Sequence, residues 1–381
     1  METKMKSKIL PLYESSDKYL VKSRGCYLYD SEGKKYLDLE AGVWCANLGH
    51  SNPSITKVIK KEIDISIHHG YRFRNDFSER LSIELQRIIG FKNGTSVFLS
   101  SGSEAINLAI TIARKITNRK KILKISNSYL SAFGFGSITP DNNDLINVRY
   151  NDEKSIEEIN FNEVAAFVLE TGGASLEMVK FPNKNFVKKL ANIAKKSKSI
   201  IIADEVTTGM GRTGMWFGFQ HYDIKPNIVV MGKGLGNGYP ISGVTVDSKT
   251  AVTLSKNQIR YAQSHQNDPL GCAVGLEVIK VIEEENLINK SIMIGNYFYD
   301  KLNILKEQNA DKIKEVRGRG LLLAVEFHKD VKGQFINKLL FESGFVFGFK
   351  LNTIRLLPPL VITKKDIDKF ISKLSDLLKR F

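Results

Sequence analysis

The 381-residue sequence predicts an α/β fold: a large domain with a mostly parallel sheet, and a smaller α+β domain attached to it. Three observations carry that prediction. Strand-like runs alternate with stretches of helical period along most of the chain. Several of those runs are apolar throughout, as strands covered on both faces must be. After Pro269 the texture changes to a long helical stretch, followed by a tail that mixes strands with helices. Apolar residues make up 42% and charged residues 25%, with 9 prolines, a composition that excludes extended disorder.

Taken in order, Gly25 to Leu39 resembles a hairpin. Asp76 or Ser78 caps a helix whose apolar positions Leu81, Leu85 and Ile88 return at helical spacing and which Gly90 ends. Ser96 to Ser100 reads as a strand. A helix from Ser103 follows it with Ala105, Ile106, Ala109, Ile112, Ala113 and Ile116 on one side, so Ser100 to Ser103 is a strand-to-helix turn. Further strands are expected at Lys121 to Ile125, Ala165 to Leu169, Ser199 to Ala203, Asn227 to Met231 and Ile241 to Val246. The helical stretch from Cys272 to about Glu307 has a break near Asn286. Strands at Leu321 to Phe327 and Thr353 to Leu357 then precede a last helix from near Lys365.

Several function classes fall away on composition. No window approaches the roughly 18 consecutive apolar residues of a membrane span. Met1 to Ile9 carries lysines with no apolar core behind them, so neither signal peptide nor anchor is expected, and the chain is expected to be cytoplasmic. The formal charge of +15 raises the question of nucleic acid. The lysines are spread in twos and threes without an arginine-rich helix, which reads as a solvated surface and not a polyanion site. Cys26, Cys45 and Cys272 lie far apart without a CxxC pair, and the six histidines lack metal-ligand spacing, so no disulfide framework and no metal are expected.

The most informative stretch runs from Ser199 to Gly243. A buried strand delivers Asp204 and Glu205 at its carboxyl end and a second delivers Lys233 in a glycine-rich turn, the edge of an open α/β sheet at which ligands bind. A strand ending in Asp-Glu also resembles the acidic element of a P-loop ATPase, but the only Gly-Lys pairs, Gly33-Lys34 and Gly232-Lys233, lack the rest of that motif. The glycines from Gly232 to Gly238 likewise miss the G-x-G-x-x-G frame of a dinucleotide site. A buried carboxylate and a lysine on neighbouring strand ends suit pyridoxal phosphate (PLP): the amine forms a Schiff base with the aldehyde, and the carboxylate keeps the ring nitrogen protonated. A structural ion pair is the plain alternative for two such residues standing alone.

They do not stand alone. The neighbourhood resembles the class III (subgroup II) aminotransferases of PLP fold type I, whose D-E-V-x-T-G-x-G-R-T-G, P-D-I-V and K-G-L-G-x-G-Y-P segments are matched by Asp204 to Gly214, Pro226 to Val229 and Lys233 to Pro240. Asp30 to Asp38, Gly49 to Pro53, Val316 to Glu326 and Thr353 to Thr363 extend the likeness over nearly the whole chain. The resemblance implies Lys233 as Schiff-base lysine and proton carrier, Asp204 as partner of the ring nitrogen, and Val206 packed on one ring face. Tyr129 is the implied stacker on the other face, with Leu130 one residue away. Ser101, Gly102 and Ser103 would cradle the phosphate, as a helix start with free N–H groups suits an anion. Thr207 stands where relatives often carry glutamine. Ser264 matches a threonine that reaches the phosphate of the neighbouring subunit, which implies a homodimer with active sites at the subunit interface.

On the substrate side, Arg355 aligns with an arginine that receives a substrate carboxylate, and Trp44 is either a wall of the pocket or a core residue. Relatives that use glutamate commonly carry E-P-x-Q-G-E-x-G, whose second acid parks that arginine. Here Glu170 to Ser175 is shorter and lacks it, so Arg355 is expected to be a permanently exposed cation. The implied division is 1–45 packing with the small domain, 46–270 a large PLP-binding domain, 271–310 a connecting helix and 311–381 the small C-terminal domain. The implied reaction moves an amino group from a small-molecule donor to a carbonyl acceptor. A PLP racemase, epimerase or aminomutase shares the same residues, and an idle binding protein that kept the fold is the reading from a different class.

Overall fold

The structure, a computed structural model, describes residues 8–10, 12, 16–137, 142–172, 179–329 and 331–380. Near the N-terminus β1 (Leu20–Arg24), β2 (Tyr27–Asp30) and β3 (Lys35–Asp38) form an antiparallel meander, the expected hairpin with one strand added. The central sheet is built from β4 (Thr95–Leu99), β5 (Lys121–Ile125), β6 (Leu145–Val148), β7 (Val164–Glu170), β8 (Ile200–Asp204), β9 (Ile228–Met231) and β10 (Ser242–Val246). Its order is β4-β10-β9-β8-β7-β5-β6; the pairs from β9 to β6 are parallel, and β10 runs antiparallel to both its neighbours. Strands β7, β8 and β9 are buried at every position, which is why they read as unbroken apolar runs.

A second sheet, β11 (Ile313–Arg319), β12 (Leu322–Phe327), β15 (Thr353–Leu356) and β14 (Gly348–Lys350), is antiparallel throughout. Between its members β13 (Phe345–Val346) leaves to pair in parallel with β3, matching Phe345 to Leu37. The N-terminal meander is thus sewn to the C-terminal third of the chain, and Leu39 is held from both sides by Val346 and Leu357.

Helices cover both faces of the central sheet. Gly102–Thr117 buries Ala105, Ile106, Ala109, Ile112 and Ala113 of the expected face, together with Leu108 and Ile110, while Ile116 is only partly buried. Asn75, and not Asp76 or Ser78, caps Asp76–Ile89: its side chain accepts the Ser78 N–H, and Gly90 ends the helix at φ 86. The expected break near Asn286 is a left-handed residue, φ 52, between Pro269–Glu284 and Leu287–Gln308. Several elements lie outside the expectations, among them Pro53–Ile63, Ser248–Lys256 and β11. Edge strand β6 is only four residues long, and Lys184–Lys196 hides a periodic apolar face, Phe186, Val187, Leu190, Ala191 and Ala194, among lysines read as surface charge. Among the described residues no helix is long and apolar enough to cross a membrane.

Candidate active site

The parallel strands bring three acidic side chains and one lysine to a single edge. Glu170 ends β7 and Asp204 ends β8, paired in register, and Lys233 follows β9. Glu205 turns away from this edge: its carboxylate accepts the Gly218 and Phe219 N–H groups, each at 2.7 Å, and the Thr208 hydroxyl at 2.7 Å. Burial pushes its carboxyl up to about 7 against those donors. It ties the loop after β8 to the segment Gly218–Tyr222, a structural task, and leaves Asp204 as the acid facing the site.

Asp204 is 4% exposed, and the donor that reaches it is the Val206 N–H at 3.1 Å. Burial first, and the neighbouring Glu170 carboxylate second, hold it well above the ordinary aspartate range; Lys233 pulls the other way. A buried acid in that state calls for a cation. Lys233 adopts a left-handed backbone, φ 45, donates to Thr207 Oγ1 at 3.2 Å, and sets Nζ 4.3 Å from the Trp44 ring centroid. Burial lowers its pKa, which favours the neutral, nucleophilic amine. Thr207, shorter than the glutamine of relatives, is thus the hydroxyl that orients the lysine.

The turn at Ser101–Ser103 abuts both. A Cβ on Gly102 would lie 2.9 Å from Val206 Cγ1, and one on Gly232 would lie 3.6 Å from the Gly102 Cα. The turn before Lys233, the β8 loop and the start of the Gly102–Thr117 helix therefore close on one space. Ser101 is the N-cap in a capping box with Glu104, so its hydroxyl is engaged and what it offers an anion is the helix start it fixes. Ser103 Oγ accepts the Ala132 N–H, and Ser242 Oγ donates to the Ser101 carbonyl.

Of the two candidate stackers, Leu130 is buried in the core while Tyr129 is 47% exposed, its N–H held by Glu170 Oε2 at 3.0 Å. Ser264 is exposed, and its neighbour Gln263 donates to Ser100 Oγ at 3.3 Å. Within this chain Ser264 is not gathered with Asp204 and Lys233.

One expectation is overturned. Arg355 is not an exposed cation: its side chain is 14% exposed, Nη2 lies 3.7 Å from Glu40 Oε1, and the guanidinium carbon sits 5.2 Å from the Trp44 ring centroid. Trp44 packs on the cluster of Val179, Leu322, Ala324 and Leu357, with its ring beside Lys233 and Arg355. The missing acid had been sought after β7, where Gly173, Ala174 and Ser175 lie outside the described residues. Glu40 and Glu170 were not expected in the site. Glu170 had a signal, a strand-end position one strand from Asp204; Glu40 had none, because only strand pairing brings residue 40 to residue 355. Nor does spacing show that His68 and His265 each meet Asp268 through Nδ1 at 2.6 Å, the group among the described residues with enough donor atoms for a metal.

The donor set fits PLP. A buried carboxylate short of positive charge suits a protonated ring nitrogen, a largely buried amine of lowered pKa suits the aldehyde, and a helix start whose glycine lets Val206 pack against it suits the phosphate.

Comparison with known proteins gives a consistent result. The model of the family described as aminotransferase class-III matches residues 13–134 and 135–378. The acetylornithine aminotransferase of Aquifex aeolicus (strain VF5) is 32% identical over 382 residues, covering 94% of this chain and 96% of that protein. The crystal structure of acetylornithine aminotransferase from Elizabethkingia anophelis superposes with a TM-score of 0.86 at 29% identity, over 98% of this chain and 96% of that one. The ornithine aminotransferase from Toxoplasma gondii, whose structure has PLP in partial occupancy at its active site, gives a TM-score of 0.88 at 25% identity, over 97% of this chain and 92% of that one.

Proposed function

Because the chain belongs to the class III aminotransferases and is a PLP-dependent aminotransferase of fold type I, we propose that Lys233 and Asp204 are its catalytic residues and that Arg355 receives a substrate carboxylate. The single observation that carries the assignment is the convergence of a proton-hungry buried acid, a largely buried amine and a helix start on one strand edge. PLP, when bound, supplies an aldehyde that joins a primary amine and a ring that takes up the electrons left by a departing proton. Asp204 holds a proton on the ring nitrogen. With PLP bound, Lys233 would be the base that takes the proton from the donor carbon and returns it during the exchange. Thr207 orients its amine, and Gly102 and Ser103 present N–H groups to the phosphate at the start of their helix. Val206 and Tyr129 would be the residues on either side of the PLP ring, and Trp44, whose ring lies beside the Lys233 amine, would screen it from water.

The partners in the reaction are a small-molecule amino donor and a carbonyl acceptor. The aligned relatives named for ornithine and acetylornithine support a donor whose reacting amine and carboxylate lie at different places on the molecule. A homodimer belongs to the same proposal: Ser264 is exposed where it can serve a second copy, and Ile63, Ile65, Ile67, Tyr71 and Phe73 present an apolar run to the outside. A cytoplasmic setting, supported by three free cysteines, and the four-part division into 1–45, 46–270, 271–310 and 311–381 complete it. The test is a panel of amines and amino acids added to the holoenzyme without acceptor. Stoichiometric conversion of the cofactor to its amine form, reversed by a 2-oxo acid, is expected; inversion of donor chirality without net transfer would remove the reading.

A further inference from the structure

We infer that Glu40 competes with the substrate carboxylate for Arg355, so that each carboxylate-bearing substrate binds by displacing an acid already in place and the strength of that competition sets substrate preference. The inference rests on the reading of Arg355 as the carboxylate receiver and goes beyond it by naming a residue that tunes it.

Four structural features place Glu40 in that role. The first is contact: Glu40 Oε1 and Arg355 Nη2 are 3.7 Å apart, with only 15% and 14% of the two side chains exposed. The second is clearance. Gly348 pairs directly across from Arg355, and a Cβ there would lie 2.5 Å from Glu40 Oε1 and 2.8 Å from both Arg355 Nε and Nη2. The space in which the two groups meet exists because residue 348 has no side chain. The third is rigidity of the backbone. Leu39 is bonded on one side to Val346 and on the other to Leu357, and Asp38 accepts the Glu40 and Gly42 N–H groups at 2.8 Å each while bonding His50 Nε2 at 2.7 Å. The fourth is the turn that follows. Ala41, Gly42, Val43 and Trp44 all have positive φ, 50 to 70, a run of left-handed residues that is unfavourable for each one with a side chain. That turn lays Trp44 between Lys233 and Arg355. Strain held by so many bonds fixes where the Glu40 carboxylate starts.

The electrostatics fix the sign of the effect. Among the described residues, the charged groups facing Glu40 are Arg355 from β15 and Asp38 from β3, itself paired to His50; Lys233 lies beyond Trp44. Burial pushes the Glu40 carboxyl up to about 7; Arg355 lowers it and Asp38 raises it. A substrate carboxylate arriving at Arg355 takes away the one lowering influence and adds a second negative charge, so Glu40 binds a proton more tightly in the complex. Below about pH 7 that proton is already present and binding is indifferent to pH. Above it, the proton must be taken up on binding, and affinity for carboxylates falls by at most tenfold per pH unit. An amine without a carboxylate leaves the Glu40–Arg355 pair intact and shows no such dependence.

The experiment uses PLP-loaded enzyme and matched pairs of donors, an amino acid and the amine lacking its carboxylate. Half-reaction kcat/KM and KM are measured from pH 6 to 9 in wild type, Glu40→Gln and Arg355→Ala. For wild type, the amino-acid-to-amine ratio of kcat/KM should fall as pH rises above about 7. In Glu40→Gln the carboxylate substrate should bind about tenfold tighter at pH 8, through KM and not kcat, and the ratio should no longer vary with pH. A Glu40→Gln enzyme that binds carboxylates more weakly, or a flat wild-type ratio, overturns the inference; the second readout needs no variant to fold. Arg355→Ala separates the two levels. Equal losses for both donors would remove Arg355 from the substrate site, whereas a loss confined to the amino acid with no effect of Glu40 would remove Glu40 alone.

Discussion

Lys233 and Asp204 were legible through the segments around them: standing alone, a strand-end acid and a nearby lysine read as a structural ion pair, and it is the likeness of Asp204 to Gly214 and Lys233 to Pro240 to the class III pattern that pointed to a role. Glu40 was illegible for the opposite reason. An acid in a segment next to a hairpin is unremarkable until two strand pairings, β3 with β13 and Leu39 with Leu357, set it beside Arg355. Single-residue changes should separate these roles. Asp204→Asn should still take up PLP through Lys233, yet slow proton removal by about two to three orders of magnitude, since a neutral amide cannot keep the ring nitrogen protonated. A half-reaction rate within a few-fold of wild type would strike Asp204 from that role. Arg355→Ala should weaken carboxylate-bearing donors by about 2 kcal/mol, the low end for losing half of a desolvated charge pair, because Glu40 already offsets part of the attraction. Steady-state KM for an amino acid, set against its matched amine, reads this directly.

Among the elements, those that build the site were the easiest to read. β7, β8 and β9 announce themselves as apolar runs since both faces are covered, and Gly102–Thr117 by its buried stripe. The edge strand β6 and the lysine-flanked Lys184–Lys196 were hidden because neither length nor charge marked them, and Asn75 because three polar residues in a row compete for one cap. Two substitutions test whether the helix start matters for chemistry or only for folding. Gly102→Ala puts a methyl 2.9 Å from Val206 Cγ1 and 3.1 Å from Cγ2, in the space between turn and ring, and should weaken retention of PLP on dialysis at least tenfold with little loss of helix. Thr363→Ala breaks an equivalent capping box on Lys364–Leu378, remote from the site. It should cost about 1 kcal/mol of stability by denaturant titration and leave PLP retention unchanged. If both variants lose cofactor alike, the Gly102 turn is a folding element with no special claim on the phosphate.

At the scale of the molecule, the +15 charge and the apolar run from Ile63 to Phe73 point outward for different reasons. The lysines keep the surface solvated, and the apolar run is the surface the proposed dimer would cover. Sedimentation should find a dimer, and Phe73→Asp should yield monomers that release PLP, as expected if Ser264 completes the site of a second copy. A wild-type monomer that retains cofactor would contradict that arrangement. The fold class was visible in the sequence because alternation of strand and helix is a property of the whole chain. The site behind it was visible only in part, since long-range pairing decides which acids share an edge. The account depends most on one amine. Borohydride reduction of the holoenzyme followed by peptide mapping should place the whole of the pyridoxyl label on Lys233; label on Lys124, a buried lysine of the central sheet, or on any further lysine would contradict the assignment from which the rest of the site is built.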